Sequence, residues 1–586
     1  MNKEQKLEIK RHSLAHILAS AVLEMFPEAK FGVGPNIENG FYYDFDLPRT
    51  LIPEDLPILE KKMKEIIKKN LQFEKQVVDR DKAIELYKKA GQDYKVEILN
   101  DEAKDEEVSL YKTGEFVDLC KGPHIDSTGE IDFTSFKLNK IAGAYWRGDE
   151  KNKMLQRIYG IAFNNKKELK EYQTKMKEAA KRDHRKLGKE LDLFCFSDLV
   201  GPGLPLFAPK GVVIIDELRK HIEKICAGYG FQKVMTPHLA KIDLYKLSGH
   251  ADKFGKELFH VSSEQKHDFV MKPVQCPHQT QIYASKQRSY RDLPIRYMES
   301  EKQYRAEKSG EVGGLNRVYA ITVEDGHSFC RVEQVKKEVK NMVEIIKDFY
   351  SAIGLWGNGN HWVSLSVRDY SHPEKYIGDP QDWDKCEKML EDVAKEMKLD
   401  AKKIEGEAAL YGPKLDFMFR DSMGKEIQIP TVQLDFATPK RFDLVYTNEK
   451  GKDEFVVMVH RAILGSYERF LALLIEHFAG AFPLWLSPVQ VKILPVSSEK
   501  HIDYARKVNS LLLENNIRTE IDNSNESIGK KIREAEKQKI PYMLVVGEKE
   551  TENNSVAVRQ RGSRDIKTVG VKEFIEGVKK EIDEKK

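Results

Sequence analysis

The chain has 586 residues, 33% of them charged and 40% hydrophobic, with a formal net charge of +3. That length accommodates three to four domains with sizeable cores, and the near-neutral balance excludes a protein that binds nucleic acid by global charge alone. The longest apolar runs, such as residues 470–475, are far shorter than a membrane span, and the polar opening lacks the apolar region of a signal peptide. Six cysteines without a CxxC pair point to a reducing, cytoplasmic setting rather than a disulfide framework.

The periodicity predicts an amphipathic helix over residues 11–25, carrying His12 and His16 on one face at i and i+4. A strand over 41–45 and a helix over 53–69 follow, then a turn at Lys121-Gly122-Pro123 that carries Cys120 and His124 beside it. Residues 165–190 are dense in Lys, Arg and Glu and read as one solvated connecting helix. A second domain begins near Leu191, with a helix over 211–228 and strands over 363–367 and 425–429; long insertions between strands suggest an antiparallel α+β sheet. After Pro488, strands over 489–494, 517–521 and 542–546 alternate with helices over 500–515 and 526–539, the pattern of a small α/β domain. The divisions expected are 1–163, a linker helix 164–190, 191–486 and 487–586.

Three residues carry the chemistry: Cys276 in Val274-Gln275-Cys276-Pro277, His327 in Glu324-Asp325-Gly326-His327, and His460 opening His460-Arg461-Ala462-Ile463-Leu464-Gly465-Ser466. One thiolate and two imidazoles form a three-ligand zinc set with a fourth position open. Arg305, in Tyr304-Arg305-Ala306-Glu307, and Arg469, in Glu468-Arg469-Phe470, are forks suited to phosphate oxygens. Any one of these residues alone is as well explained by a structural role; their joint order is what carries the reading.

In these motifs the chain resembles the threonyl-tRNA synthetases, class II aminoacyl-tRNA synthetases, from about Arg11 to the C-terminus, in a form without the family's N-terminal ubiquitin-like domain. The resemblance implies a multidomain α+β protein: an N-terminal α+β editing domain, a class II antiparallel-sheet catalytic core and a C-terminal α/β anticodon-binding domain. It implies a cytoplasmic homodimer, not bound to membrane, that uses ATP with Mg2+ and one Zn2+ per subunit to join L-threonine to tRNA(Thr). Arg305 would hold the α-phosphate, Glu307 the adenine amino group, Arg317 the phosphates or carboxylate, and Arg469 the γ-phosphate. Gln428 would be a polar group of the ATP site, Lys414 would contact the activated carboxylate or phosphate, and His250 would assist transfer. Asp325, Tyr411, Gln433 and Ser466 would line the threonine site, and Pro237 would sit at the dimer interface. Zinc on Cys276, His327 and His460 would separate threonine from its isostere valine, which an apolar pocket does poorly; a seryl or prolyl enzyme does not fit that ligand set.

Zinc cannot reject serine, so a second sieve is required. His12, His16, Cys120 and His124 look, as residues, like a tetrahedral metal site; the resemblance makes them, with Asp118, an editing site that hydrolyses Ser-tRNA(Thr). Residues 181–186 are candidates for phosphate contacts, and Asn525, Glu550 and Arg559 match positions that read anticodon bases. One departure is visible: where the family usually reads Cys-Pro-Gly-His, this chain has Cys276-Pro277-His278-Gln279, so the backbone there must avoid a conformation reserved for glycine.

Overall fold

The computed structural model describes all residues except 1, 102–106, 265–267, 309, 358, 360, 421–423, 425 and 586. The chain divides into two compact units, Met1–Glu178 and Ala179–Lys586.

In the first unit the helix Lys3–Met25 begins with a capping box, Asn2 accepting from Gln5 N–H and the Gln5 side chain accepting from Asn2 N–H. It is the predicted helix extended by two turns towards the N-terminus. Its Leu14, Ile17, Leu18 and Val22 are buried against Phe41, Tyr43 and Phe45 of the strand Gly40–Asp46 and against the helix Asp55–Lys68. One sheet takes the strands in the order Lys30–Phe31, Gly40–Asp46, Met154–Ala162, Phe136–Tyr145, and a smaller one pairs Glu74–Asp79, Glu107–Thr113 and Phe116–Leu119. The short helix Asp93–Asp101 buries Lys95 and Leu99.

The charged segment is not one helix. It forms Lys166–Arg182 and His184–Glu190, broken at Asp183, whose carboxylate accepts from Arg185 N–H as the cap of the second helix. The division between units falls inside the first of these. The second half of the segment is solvated on one face only: Arg185, Lys186, Lys189 and Glu190 are exposed, while His184 and Leu187 are buried.

The second unit is built on an eight-stranded sheet in the order Gln232–Lys233, Ile295–Tyr304, Ala320–Cys330, Val457–Ser466, Glu426–Asp435, Lys414–Arg420, His361–Val367, Lys402–Glu405. Its six central strands pair antiparallel as expected, but both outermost pairings are parallel. Of the predicted strand 425–429, Lys425 lies outside the described residues. The helices Pro209–Gly228, Val335–Ala352 and Tyr467–Phe478 bury their apolar faces in the large core beneath this sheet. The C-terminal portion is the expected α/β arrangement: Val491–Pro495, Thr519–Ile521 and Tyr542–Val546 run parallel, and Ser555–Gln560 and Ile566–Gly570 are added antiparallel.

Candidate active and editing sites

Strand register assembles the central site. Tyr297, His327, His460, Gln433 and Lys414 lie directly opposite one another across five adjacent strands, and therefore on one face. Two residues along, the same face carries Glu299, Asp325, Ala462, Thr431 and Asp416. Cys276 reaches this face from outside the sheet, as the first residue of the helix Cys276–Ala284.

Cys276, His327 and His460 are buried, and their donor atoms all lie within 4.8 Å of one another. The donor set fits a metal ion. His327 Nδ1 donates to Gln279 Oε1 at 2.7 Å, while its Nε2 is buried without a hydrogen bond, 3.9 Å from Asp325 Oδ2. His460 Nε2 donates to the buried Asp435 at 3.0 Å, which frees Nδ1. Each imidazole thus has one nitrogen anchored and one available, the arrangement of a metal ligand with its outer support. Burial, with Asp325 and Asp435 adding to it, pushes the Cys276 thiol well above its ordinary value; a bound cation reverses that preference. Gln279 and Asp435 were not singled out from sequence, and nothing but their neighbourhood distinguishes them from other polar residues. The missing glycine is harmless: Pro277 and His278 are helical, and His278 keeps a negative φ.

A cavity of about 320 Å³ opens on this cluster, lined by His250, Arg305, Asp325, Tyr411, Gln428, Gln433, Ser466 and Arg469 among others. Burial pushes Asp325 up to about 7 against the pull of His460, and pushes His250 down to about 4. His250 Nδ1 is 2.9 Å from Ser248 Oγ and its Nε2 is 3.9 Å from the Cys276 sulfur. Tyr411 donates to Gln433 Oε1 at 2.7 Å and stacks on His460. Arg305 donates to Pro273 O at 3.3 Å and lies over Phe254, with its centre 5.0 Å from the ring. Among the described residues neither Arg305 nor Arg469 has a carboxylate partner. Two unpaired guanidiniums facing one cavity make a receptor for phosphate oxygens. Three expected members stand outside the lining: Glu307 and Arg317 pair with each other at 2.7 Å, and Lys414 pairs with Asp416 at 2.8 Å.

In the first unit the structure brings together all five predicted editing residues. Cys120 Sγ lies 2.9 Å from His12 Nε2 and 3.3 Å from His124 Nε2, and accepts from Gly122 N–H at 3.2 Å. Ser13 Oγ is 3.1 Å from His124 Nδ1. His16 Nε2 is 3.5 Å from Asp118, whose carboxylate also accepts from Tyr43 at 2.6 Å and meets Lys95. Burial lowers His12, His16 and His124 and raises Cys120 to about 11, so the cluster is a set of neutral imidazoles around a thiol. A cavity of about 590 Å³ adjoins it, lined by His12, His16, Gly34, Lys95, Asp118 and Cys120. Lys95 and Tyr43 were missed from sequence; the one signal was a lysine four residues before Leu99 on the inward face.

The other candidates are dispersed. In the stretch 181–186, His184 is buried, Arg182 donates to His477 O and Arg185 pairs with Asp183. Asn525 is exposed beyond the strand Thr519–Ile521, and Glu550 follows Tyr542–Val546, where its carboxylate accepts from Gly547 N–H. Those two strands run parallel to Val491–Pro495, so both residues lie past the same end of the strands. Arg559 is opposite Met543 near the other end of the strands and pairs with Glu536 at 2.8 Å.

Comparison with known proteins agrees with this anatomy. Residues 259–478 match the tRNA synthetase class II core domain (G, H, P, S and T), 490–581 an anticodon binding domain, and 108–159 the threonyl and alanyl tRNA synthetase second additional domain. The chain is 47% identical to a threonine–tRNA ligase of Halalkalibacterium halodurans, over 99% of this chain and 89% of the relative. It is also 47% identical to one of Staphylococcus aureus strain Newman, over 100% of this chain and 90% of that one. The crystal structure of the RNA binding domain of threonyl-tRNA synthetase from Cryptosporidium parvum Iowa II is similar with a TM-score of 0.64 at 33% identity, covering 68% of this chain and 98% of that one. A Giardia lamblia prolyl-tRNA synthetase shares the fold at 16% identity and a TM-score of 0.54, over 70% of this chain and 79% of that one.

Proposed function

From the premise that the chain belongs to the threonine–tRNA ligase family, we propose how its two sites divide the work of joining threonine to tRNA with ATP and Mg2+. The central cavity activates the amino acid. A carboxylate oxygen of threonine attacks the α-phosphorus, the bond to the β-phosphate oxygen breaks, and pyrophosphate leaves. A ribose hydroxyl at the 3' end of tRNA(Thr) then attacks the carbonyl and AMP leaves. Arg305 and Arg469 hold the phosphate oxygens as charge shifts onto them. Gln428 and Ser466 complete the lining on the nucleotide side. Asp325 receives the ammonium or hydroxyl of threonine, the Tyr411–Gln433 pair shapes the pocket, and His250 faces the transfer step. Glu307, Arg317 and Lys414 act on the nucleotide or carboxylate once their present partners are exchanged for substrate.

Zinc is the metal that one thiolate and two imidazoles with an open position suit best, and when bound it supplies a Lewis acid that distinguishes a hydroxyl from a methyl group. The observation that carries this reading is the buried donor triplet beside two unpaired guanidiniums in one cavity.

The first unit hydrolyses Ser-tRNA(Thr). A neutral imidazole of His12 or His124 takes the proton of a water that attacks the ester carbonyl, and the ribose oxygen leaves with a proton. Asp118, fixed by Tyr43 and Lys95, orients His16. Asn525 and Glu550 approach anticodon bases, with Arg559 on a separate part of the same domain. The chain works as a homodimer, with the exposed Met235, two residues from Pro237, at the subunit contact. No described helix is long and apolar enough to cross a membrane, and a cytoplasmic place accords with six free cysteines.

The test is amino-acid-dependent ATP–pyrophosphate exchange with threonine, serine, valine and proline, beside metal analysis. Strong exchange with threonine, weaker with serine and none with valine, at about one zinc per chain, is the expected result. Equal exchange with valine would remove the metal-selection reading.

A further inference from the structure

The linker residue His184 is buried and fully engaged. Its Nδ1 donates to Glu476 Oε1 at 2.7 Å, its backbone N–H reaches the same oxygen at 3.3 Å, and its Nε2 accepts from Leu315 N–H at 3.1 Å. Asp183, His184 and Glu476 have the composition of a cation site, but both imidazole nitrogens are committed, so no lone pair remains for a metal. The ring is instead a bridge between two elements of the ATP site.

One of these is the helix Tyr467–Phe478, which carries Arg469 near its first residue and Glu476 in its last turn. The other is the segment that leads from Arg305 to Arg317. Its far limb is a tight turn, with Gly313 N–H bonded to Arg317 O and Asn316 N–H to Gly313 O, and Leu315 is fully buried there. Gly314 has φ +54°, and a Cβ at that position would fall 2.2 Å from His184 Nε2. Glycine and imidazole are thus fitted to each other: a larger residue would push the turn off the ring. Past the turn, Arg317 pairs with Glu307 at 2.7 Å, so the position of this turn sets the position of both.

We propose that His184 is a positioning residue for ATP: by holding Leu315 and Glu476 on its two nitrogens it fixes the turn at Gly313–Arg317, and through Arg317 its partner Glu307, against the Arg469 helix, in the spacing that grips the nucleotide. The proposal rests on the reading that Arg305 and Arg469 bind ATP phosphates. It assigns the linker a second part beyond connection, because the residue that aligns the two arginine-bearing elements is contributed by neither.

The experiment is threonine-dependent exchange with the full chain, varying ATP and threonine separately. His184→Asn keeps a donor for Glu476 and loses the acceptor for Leu315; His184→Gln can place an amide oxygen near Leu315 N–H. We expect His184→Asn to raise KM for ATP by about tenfold, as removal of the acceptor of a buried backbone N–H implies, with KM for threonine and the hydrolysis of preformed Ser-tRNA within about twofold. His184→Gln should recover much of that loss, and Gly314→Ala should raise KM for ATP as His184→Asn does. An unchanged KM for ATP in His184→Asn, or equal losses for Asn and Gln that follow a fall in melting temperature, would overturn the proposal. Arg305→Ala, measured alongside, separates the two levels. If it abolishes exchange while His184→Asn leaves KM for ATP unchanged, the bridge is wrong and the ATP site stands; if it leaves exchange intact, the ATP-site reading itself falls.

Discussion

His327 and His460 face each other across neighbouring antiparallel strands, with ring centroids 4.6 Å apart and planes at 84°. Each ring is held from behind, one by Gln279 and the other by Asp435, and the donor atoms of both rings lie within 4.8 Å of the Cys276 donor atom. Support of this kind sets a ligand's tautomer and orientation before any ion arrives.

Asp435→Asn tests that support without touching a ligand. Oδ1 accepts from Ala437 and Thr438 N–H and survives the change, whereas the amide turns a donor towards His460 Nε2. Zinc affinity should fall by roughly 10–100-fold, read by competition with a chromogenic chelator. Cys276→Ala should abolish both metal and threonine activation, and full activity in a metal-free Cys276→Ala protein would refute metal selection.

Editing should separate from synthesis. With His12→Ala or His124→Ala we expect threonine charging within about twofold of the unaltered chain and Ser-tRNA hydrolysis slower by about 10²-fold or more, the usual scale for loss of a general base. The assay is deacylation of preformed Ser-tRNA(Thr). Normal hydrolysis in both variants would place the chemistry elsewhere.

The neutral imidazoles of the first unit also impose a pH dependence on its stability. Burial depresses His16 and His124 in the folded chain, so their contribution is present above their ordinary value of 6.5 and is lost as pH falls below it, where the unfolded chain takes up protons the folded one refuses. Each such ring removes up to about 1.4 kcal/mol per pH unit below 6.5. Protection factors of the amides in the helix Lys3–Met25, corrected for the intrinsic pH dependence of exchange, should therefore fall between pH 7 and pH 5, with a shallower trend in His16→Asn. A trend as steep in that variant would show that other groups govern the acid limb.

Beneath the sheet, Arg461 pairs with Glu324 at 2.5 Å, both fully buried, and lies over Phe231. Arg461→Met leaves a buried carboxylate without its ionic partner, with only Ile463 N–H still donating to it, and should destabilise the second unit by about 3–5 kcal/mol, measured by denaturant unfolding. Adding Glu324→Gln should recover part of that loss; a double variant worse than the single one would contradict the ion-pair account.

For assembly, Met235→Glu puts a charge on an exposed apolar position beside Pro237 and should shift the sedimentation profile from dimer towards monomer. A profile unchanged at micromolar concentration would place the subunit contact on another surface.

The donors were legible in the sequence because cysteine and histidine are scarce and stood in ordered motifs, and the alternation after Pro488 betrayed the last domain. What remained hidden depended on pairing in space. Gln279, Asp435, Lys95 and Tyr43 are ordinary residues until the fold sets them behind a histidine or a carboxylate. Sequence groups Arg559 with Glu550 as an anticodon contact, yet strand register carries it to the opposite end of the sheet. The break at Asp183 was signalled only by a capping residue inside a run of charge, and charge density argued for one uninterrupted helix. The parallel outermost strands gave no local sign, since direction follows from connections and not from side chains.

The row Tyr297–His327–His460–Gln433–Lys414 exists only because five strands keep count with one another. A strand that slips by one residue turns its whole set of side chains to the other face. Losing a single residue between Val457 and His460 would therefore turn His460 to the opposite face and empty its place in the row, without replacing any ligand. Among natural variants, length in these five strands should be more tightly held than identity at most of their positions.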